Sequence, residues 1–170
     1  MKIHMGCGKR VLEGWFNIDV QRHPFGPVPQ LISDIRRVPK LKDDCADEVM
    51  AIHVVEHFYR WDTDRALTEW KRILKPGGQL TLELPDLMKC CFNIVNNIEG
   101  KHPDQLGMWG IYGDPRDKNE YMVHRWGWTP VTLMELLNNL GYVDMREEEP
   151  QFHLAGKDLR DMRIIAFKPT

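Results

Sequence analysis

Short apolar runs divide the chain into a series of predicted strands. Each run ends in a small or acidic residue or in turn residues, as strands do where they reach the edge of a sheet. The predicted strands lie at or near residues 2–5, 15–20, 31–34, 46–53, 79–84, 142–147 and 162–167. Residues 21–30 contain three prolines and are predicted as a loop.

Amphipathic helices are predicted between some of these runs. Residues 62–74 carry apolar side chains at three- and four-residue intervals, with charges on the opposite face. Lys75-Pro76-Gly77-Gly78 ends this helix, because proline cannot continue it and glycine accepts a left-handed turn. A second helix is predicted from Asp86 to about residue 97, and a third from the capping pair Thr129-Pro130 to Gly141.

Strands that alternate with helices predict an α/β fold with a mostly parallel sheet and right-handed crossovers. The last two strands have no helix between them, which predicts an antiparallel hairpin at one edge. Residues 7–14, between the first two strands, are too few for a crossover helix with its loops. The first helix is therefore expected to be missing or reduced to a turn.

Composition narrows the class of protein. A chain of 170 residues, with 42% hydrophobic and 28% charged residues, is typical of one globular domain, here residues 1–170. Twenty-three basic and 25 acidic side chains give no general attraction to nucleic acid or anionic lipid. No apolar run reaches the roughly 18 residues of a membrane span, and the N-terminus lacks the apolar stretch of a secretion signal. The four cysteines show no CxxC spacing, so reduced thiols and a cytoplasmic location are expected.

Candidate ligand-binding residues follow the first three strands. Gly6-Cys7-Gly8 comes directly after the first strand, where glycines let the backbone approach a ligand, although a plain tight turn has the same sequence. Asp19 ends the second strand, where an acidic residue can accept hydrogen bonds from ribose hydroxyls. Asp34 ends the third strand, and a turn-initiating role is its alternative. The segment after Gly8 does not complete a GxGxxG dinucleotide motif.

These features form an ordered set with ADEVMAIHVVEHF at residues 46–58 and LKPGGQLTLELPD at residues 74–86. The set resembles class I S-adenosylmethionine-dependent methyltransferases, most closely the small type 11 subgroup. The resemblance covers residues 1–88 well and the remainder loosely, through Gly141-Tyr142. It implies a Rossmann-like methyltransferase fold with seven strands in the order 3-2-1-4-5-7-6, and S-adenosylmethionine as the cofactor.

The resemblance also implies roles for particular residues. Gly6, Cys7 and Gly8 would border the methionine part of the cofactor, and Asp19 would hold its ribose. Asp34 and Ile35 would flank the adenine. His53 would contact the amino-acid end of the cofactor, and Glu56-His57 matches a Glu-His pair that is common in the family.

Residues 100–128 show no clean periodicity and are predicted to cover the acceptor site. Trp109, Tyr112 and Trp126 are candidates for an acceptor-binding wall, with capping of a small core as the alternative. His124 is the first candidate for a general base, because a neutral histidine titrates in the range suited to proton transfer. Its alternative is a histidine that holds the loop. His57 and His153 are weaker candidates.

The predicted function is methyl transfer to an acceptor that the sequence does not identify, a small metabolite or sugar hydroxyl rather than nucleic acid. Two alternatives are a non-catalytic binding partner with the same fold and a nicotinamide-dependent oxidoreductase. The oxidoreductase would need the longer glycine motif. No metal is expected: His53 and His57 have an i, i+4 spacing, but no HExxH sequence is present.

Overall fold

The computed structural model describes residues 1–152 and 159–170. Their strands are β1 (Lys2–Met5), β2 (Phe16–Asp19), β3 (Leu31–Ile32), β4 (Ala46–Ile52), β5 (Leu74–Pro85), β6 (Val143–Glu148) and β7 (Asp161–Phe167). Their α-helices are α1 (Arg60–Ile73), α2 (Leu87–Val95), α3 (Met108–Tyr112) and α4 (Pro130–Asn139). No helix in this part of the chain is long and apolar enough to cross a membrane.

The strands form one sheet in the order β3-β2-β1-β4-β5-β7-β6. β1 to β5 pair in parallel, whereas β7 runs antiparallel to both β5 and β6. Residues 6–15, between β1 and β2, contain turns and no helix. The predicted strand order, the antiparallel hairpin and the reduced first helix are therefore confirmed.

The two faces of the sheet differ in character, because side chains alternate along each strand. One face is apolar and consists of Ile3, Met5, Ile18, Val49, Ala51, Leu80, Leu82 and Ile164. α1 and α4 pack on this face through residues such as Leu67, Trp70 and Leu137. The connection from α4 to β6 is also attached to α1, since the Tyr142 hydroxyl donates to the Leu67 carbonyl at 2.9 Å.

The opposite face carries buried polar groups, which loops cover within the described residues. The Asn17 side chain accepts from the Leu12 N–H at 2.9 Å and donates to the carbonyls of Leu12 and Trp15. The Glu83 carboxylate accepts the N–H groups of Gln151 and Phe152, each at 2.8 Å. These bonds attach the β1–β2 connection and the segment after β6 to the sheet.

β5 begins earlier than the sequence predicts. α1 ends at Ile73, and β5 is extended from Leu74, which pairs with Ala46 of β4. Gly77, at φ +73°, takes the turn conformation expected of it, and its N–H donates to the Lys168 carbonyl at 2.9 Å. The helix therefore ends just before the Pro-Gly-Gly sequence, as predicted, but that sequence lies within β5 and not in a loop.

Gly6 and Gly8 both have positive φ, at +64° and +52°, but their surroundings differ. A Cβ on Gly6 would lie 2.5 Å from Cγ2 of Val54, whereas a Cβ on Gly8 would meet no atom within 4 Å. We expect Gly6→Ala to lower the free energy of unfolding by about 2–4 kcal/mol, since overpacking adds to the backbone cost. Gly8→Ala should lower it by only about 1 kcal/mol. Urea denaturation of both variants checks this, and equal losses would show that Val54 moves aside freely.

Candidate active site

The predicted glycine turn and Asp19 lie together at the carboxyl ends of β1 and β2. The Gly8 N–H donates to Oδ2 of Asp19 at 2.7 Å, and the Gln21 N–H donates to Oδ1 at 3.1 Å. Asp19 is only 8% exposed. Each carboxylate oxygen has a second lone pair, so Asp19 can hold this loop and still accept hydrogen bonds from a ligand hydroxyl.

Cys7 is part of the turn, but its side chain points into the protein. Its N–H donates to the Ile18 carbonyl at 3.1 Å, which ties the turn to β2. The thiol is 4% exposed, and burial, together with the nearby Asp19 charge, raises its pKa to about 11. Cys7 is therefore a neutral thiol at neutral pH and offers a ligand its backbone alone.

Asp34 and Ile35 both have partners within the protein. The Arg36 guanidinium donates to Asp34 through Nε at 3.0 Å and Nη2 at 2.9 Å, and these bonds lower the pKa of the Asp34 carboxyl. The Ile35 side chain is buried, and its carbonyl accepts from the Trp70 indole at 2.8 Å. Their predicted contact with adenine stays a prediction.

His53 follows β4 with a left-handed backbone, at φ +52°. Its Nδ1 lies 3.0 Å from Oε1 of Glu56, and its Nε2 lies 3.3 Å from Oδ2 of Asp161. Burial opposes protonation of His53, but hydrogen bonds to Asp161 and Glu56 and the charges of both carboxylates raise its pKa to about 9. His53 is therefore a largely enclosed cation, with 15% of its side chain exposed, held between two anions at neutral pH.

The two carboxylates belong to a larger charge network. Burial opposes ionisation of Glu56, but the hydrogen bond from His53 outweighs it and lowers the pKa to about 2. Burial likewise opposes ionisation of Asp161, whose pKa is nevertheless lowered by His53 and by Arg160, which donates through Nε at 2.6 Å. Two cations and two anions thus balance at the carboxyl edge of β4 and the start of β7.

His57 and His124 lie next to this network, with ring centroids 4.7 Å apart and planes at 79°. Nδ1 of His57 is 3.1 Å from the Val123 carbonyl, and Nδ1 of His124 is 2.9 Å from the Gly110 carbonyl. A carbonyl can only accept, so each Nδ1 carries the proton and each neutral ring keeps a lone pair on Nε2. Burial lowers the pKa of His57, which favours this neutral form.

Residues 100–128 bring His124 to its place. The N–H groups of Arg125 and Trp126 both donate to the Glu56 carbonyl, at 2.7 Å and 3.2 Å. The His124 N–H donates to the Tyr112 carbonyl at 3.2 Å. The structure therefore brings together the two predicted base candidates, His57 and His124, and adds Glu56 between them, with Oε1 4.0 Å from Nε2 of His124.

The aromatic candidates do not share one cluster of ring contacts. Trp109 stacks on His102 at 5.6 Å, whereas Trp126 packs edge-on against Trp128 at 6.4 Å. Tyr112 is 63% exposed and Trp126 is 45% exposed. A common acceptor-binding wall stays a prediction. His153, the remaining base candidate, lies outside the described residues.

Sequence reasoning missed the contribution of Asp161 and Arg160. An acidic residue at the first position of a strand is typically exposed, and nothing local indicates that Asp161 lies opposite His53. The position of Asp161 becomes evident from the pairing of β5 with β7, which places Asp161 opposite Pro85 at the carboxyl edge of the parallel strands. The sequence alone does not give that register, so it held no usable signal for this contact.

The raised pKa of His53 makes stability depend on pH. The folded protein keeps this proton up to about pH 9, whereas an unfolded histidine loses it near pH 6.5. The stabilisation is therefore complete below pH 6.5 and is lost as pH rises through 9, by about 3 kcal/mol in total. We expect urea denaturation from pH 6 to 10 to show this fall in the parent protein but not in His53→Gln. Parallel pH profiles would contradict it.

Known proteins are similar to this chain in sequence or in fold. Residues 15–82 match a family model described as a methyltransferase domain. No curated protein sequence matches the chain. Among solved structures, a SAM-dependent methyltransferase from Archaeoglobus fulgidus is 20% identical, with a TM-score of 0.68 over 98% of this chain and 85% of that chain.

Two more solved structures are similar over nearly the whole chain. A SAM-dependent methyltransferase from Methanosarcina mazei is 18% identical, with a TM-score of 0.63 over 99% of this chain and 92% of that chain. The 1,6-didemethyltoxoflavin-N1-methyltransferase of Burkholderia thailandensis, solved with S-adenosylhomocysteine, is 14% identical, with a TM-score of 0.63 over 99% and 71%. At these identities the likeness establishes the fold alone. The family match over residues 15–82 and the fold together confirm the resemblance to class I S-adenosylmethionine-dependent methyltransferases of the type 11 subgroup.

Proposed function

We propose that this protein transfers a methyl group from S-adenosylmethionine to a small acceptor, a metabolite or a sugar hydroxyl. The observation that carries the proposal is the pairing of Gly8 with Asp19 at 2.7 Å, beside the His53 network. Both lie at the carboxyl edge where the chain order reverses between β1 and β4, which is the usual ligand site of such sheets. The near balance of acidic and basic residues favours a small acceptor over nucleic acid.

The residues of this edge fit the proposed cofactor. The space beside Gly8, with no atom within 4 Å of the position of a Cβ, leaves room for a ligand against the backbone. Asp19 retains lone pairs for the two ribose hydroxyls. Gly6 and Cys7 complete the turn at the methionine part, and His53 lies at the amino-acid end. Asp34 and Ile35 flank the adenine.

Methyl transfer is an in-line displacement, in which the cofactor supplies an activated methyl group on a sulfonium. The protein aligns the acceptor with that methyl group and excludes water. His57 and His124 activate the acceptor oxygen, because both present Nε2 lone pairs next to the site. Glu56 holds both in place through its backbone and its charge.

Residues 100–128 cover the acceptor. The Tyr112 carbonyl accepts the His124 N–H, and the Trp126 N–H donates to the Glu56 carbonyl, so both residues lie close to the proposed base. The side chains of Tyr112 and Trp126 are exposed and can contact an acceptor. Trp109 belongs to the same segment and lies in α3. The attachment of this segment to the Glu56 carbonyl couples acceptor binding to the residues beside the cofactor.

Cofactor binding through Asp19 is tested with the Asp19→Asn variant. The amide keeps the shape of the side chain but replaces one acceptor oxygen with a donor, so a bond to Gly8, Gln21 or the ribose is lost. Affinity for S-adenosylhomocysteine should fall at least about tenfold, which corresponds to one charge-assisted bond. Titration calorimetry measures this loss.

The matched control is Asp47→Asn, because Asp47 is the second residue of β4, at the opposite end of the strand from the carboxyl edge. This variant should bind normally. Thermal unfolding checks that both variants are folded. Equal affinity in Asp19→Asn and the parent would remove Asp19 from the site. Binding of NAD instead of the nucleoside would favour the oxidoreductase.

Acceptor activation is tested with His124→Ala. Small hydroxylated metabolites and sugars are screened for methyl transfer from radiolabelled S-adenosylmethionine, and the variant is then assayed with the acceptors that the parent uses. Turnover should fall by about 10²–10⁴-fold, the usual contribution of acid–base catalysis, at unchanged affinity for S-adenosylhomocysteine. Full activity of His124→Ala would exclude an activating role, and a parent that binds the nucleoside but methylates nothing in the screen would favour the non-catalytic alternative.

A further inference from the structure

Three side chains beside the proposed acceptor site have the composition of a metal-binding set. One ligand atom from each of Glu56, His57 and His124 lies within 4.8 Å of the other two. The three come from separate parts of the chain: the turn after β4 contributes Glu56 and His57, and residues 100–128 contribute His124. Two imidazoles and one carboxylate form the ligand set of several catalytic metal sites.

Both histidines make the Nδ1 hydrogen bond that is typical of metal ligands. Metal-binding histidines usually donate the N–H of the other ring nitrogen to a carbonyl or carboxylate, which fixes the tautomer and the direction of the lone pair. His57 and His124 do this through Nδ1, to the carbonyls of Val123 and Gly110 at 3.1 Å and 2.9 Å. Nε2 has no hydrogen-bond partner among the described residues on either ring.

Glu56 supplies the second, independent observation. It is 2% exposed, and its Oε1 is held by His53 at 3.0 Å. Its Oε2 is buried and has no hydrogen-bond partner among the described residues. A buried carboxylate oxygen without a partner is costly, and a bound cation is one way in which such an oxygen is satisfied. The bond from His53 leaves the carboxylate fixed in one orientation, as second-shell partners do for ligands.

We propose that Glu56, His57 and His124 bind a divalent first-row transition-metal ion, such as Zn²⁺, Mn²⁺ or Co²⁺, next to the acceptor site. Imidazole nitrogens suit these ions, whereas Mg²⁺ prefers oxygen ligands. Three protein ligands leave coordination positions for the acceptor oxygen. The inference deepens the proposed function and rests on it for the identity of that oxygen.

In this arrangement the histidines act through the ion instead of taking the proton themselves. A hydroxyl on the ion loses its proton to solvent more readily, because the cation stabilises the oxyanion. The oxygen lone pair then forms the new bond to the methyl carbon, and the carbon–sulfur bond breaks with its electron pair on sulfur. The products are the methylated acceptor and S-adenosylhomocysteine, and no redox change occurs.

The test uses Co²⁺ as a spectroscopic probe on the chelator-treated full chain. We expect the parent to bind one equivalent, with visible d–d absorption and no thiolate-to-cobalt band, since no cysteine is among the ligands. His57→Gln and His124→Gln should each weaken binding at least about 100-fold, more than loss of an outer-shell partner does. The matched control His102→Gln lies in the same segment as His124, outside the set, and should bind like the parent.

Glu56→Gln does not separate loss of the metal ligand from loss of the bond to His53, because the same carboxylate makes both contacts. The test therefore uses the histidine variants. Calorimetry with S-adenosylhomocysteine runs in parallel on each variant. Nucleoside binding without saturable Co²⁺ binding, or Co²⁺ binding that survives both histidine substitutions, would overturn the metal site and leave the proposed function standing. If the parent protein itself does not bind S-adenosylhomocysteine, the proposed function is contradicted instead.

Discussion

The His53 imidazolium, held between the carboxylates of Glu56 and Asp161, is the interaction on which the rest of the site depends. Glu56 and Asp161 are buried and only 15% of the His53 side chain is exposed, so each charge is tolerated only because the others are present. Removal of one partner from such a group commonly costs about 3–5 kcal/mol, because a buried charge is left uncompensated. The network also fixes the left-handed backbone of His53, which few non-glycine residues adopt without support. The carboxyl edge of β4 is thereby rigid before any ligand binds.

The short β1–β2 connection imposes a second constraint. In many nucleotide-binding sheets a crossover helix follows the first strand, and its N-terminus offers N–H groups to the ligand. Residues 6–15 form turns instead, so the direction of the Gly8 N–H is set by Asp19. One carboxylate thus organises the loop and faces the proposed ribose site. The two roles are compatible because a carboxylate accepts about four hydrogen bonds, of which the described residues use two.

Much of this fold could be predicted from the sequence, because its signals are local. Proline and glycine marked the end of α1, and the capping pair Thr129-Pro130 marked the start of α4, which has the full capping box with Thr132. The seven strands and their order followed from apolar runs together with the family resemblance. The alternation of apolar and polar residues along the strands also indicates that the two faces of the sheet differ. The loops that cover the polar face are held by contacts between residues far apart in sequence, which the sequence does not indicate.

The chemistry of the site was less predictable, because its partners are distant. His53 was foreseen only as a contact to the cofactor, and its pairing with Asp161 joins residues at opposite ends of the chain. α3 lies within residues 100–128, where five residues form a helix that packs on α2 without a recognisable period. Trp109 and Trp126 were grouped by proximity in sequence, but their rings have different partners. Sequence spacing indicates which residues share an element, not which elements meet.

Glu56 takes part both in holding the fold together and in the proposed chemistry. Its carbonyl accepts the N–H groups of Arg125 and Trp126, its Oε1 pairs with His53, and its Oε2 has no hydrogen-bond partner among the described residues. A substitution there disturbs the charge network, the attachment of residues 100–128 and the candidate ligand set at once, so its effect does not isolate any one of them. His57 and His124 are different, because each is anchored through Nδ1 to a backbone carbonyl and keeps Nε2 for chemistry. A loss of function at either histidine, with the fold and nucleoside binding intact, therefore reports on the acceptor side of the site and not on the charge network.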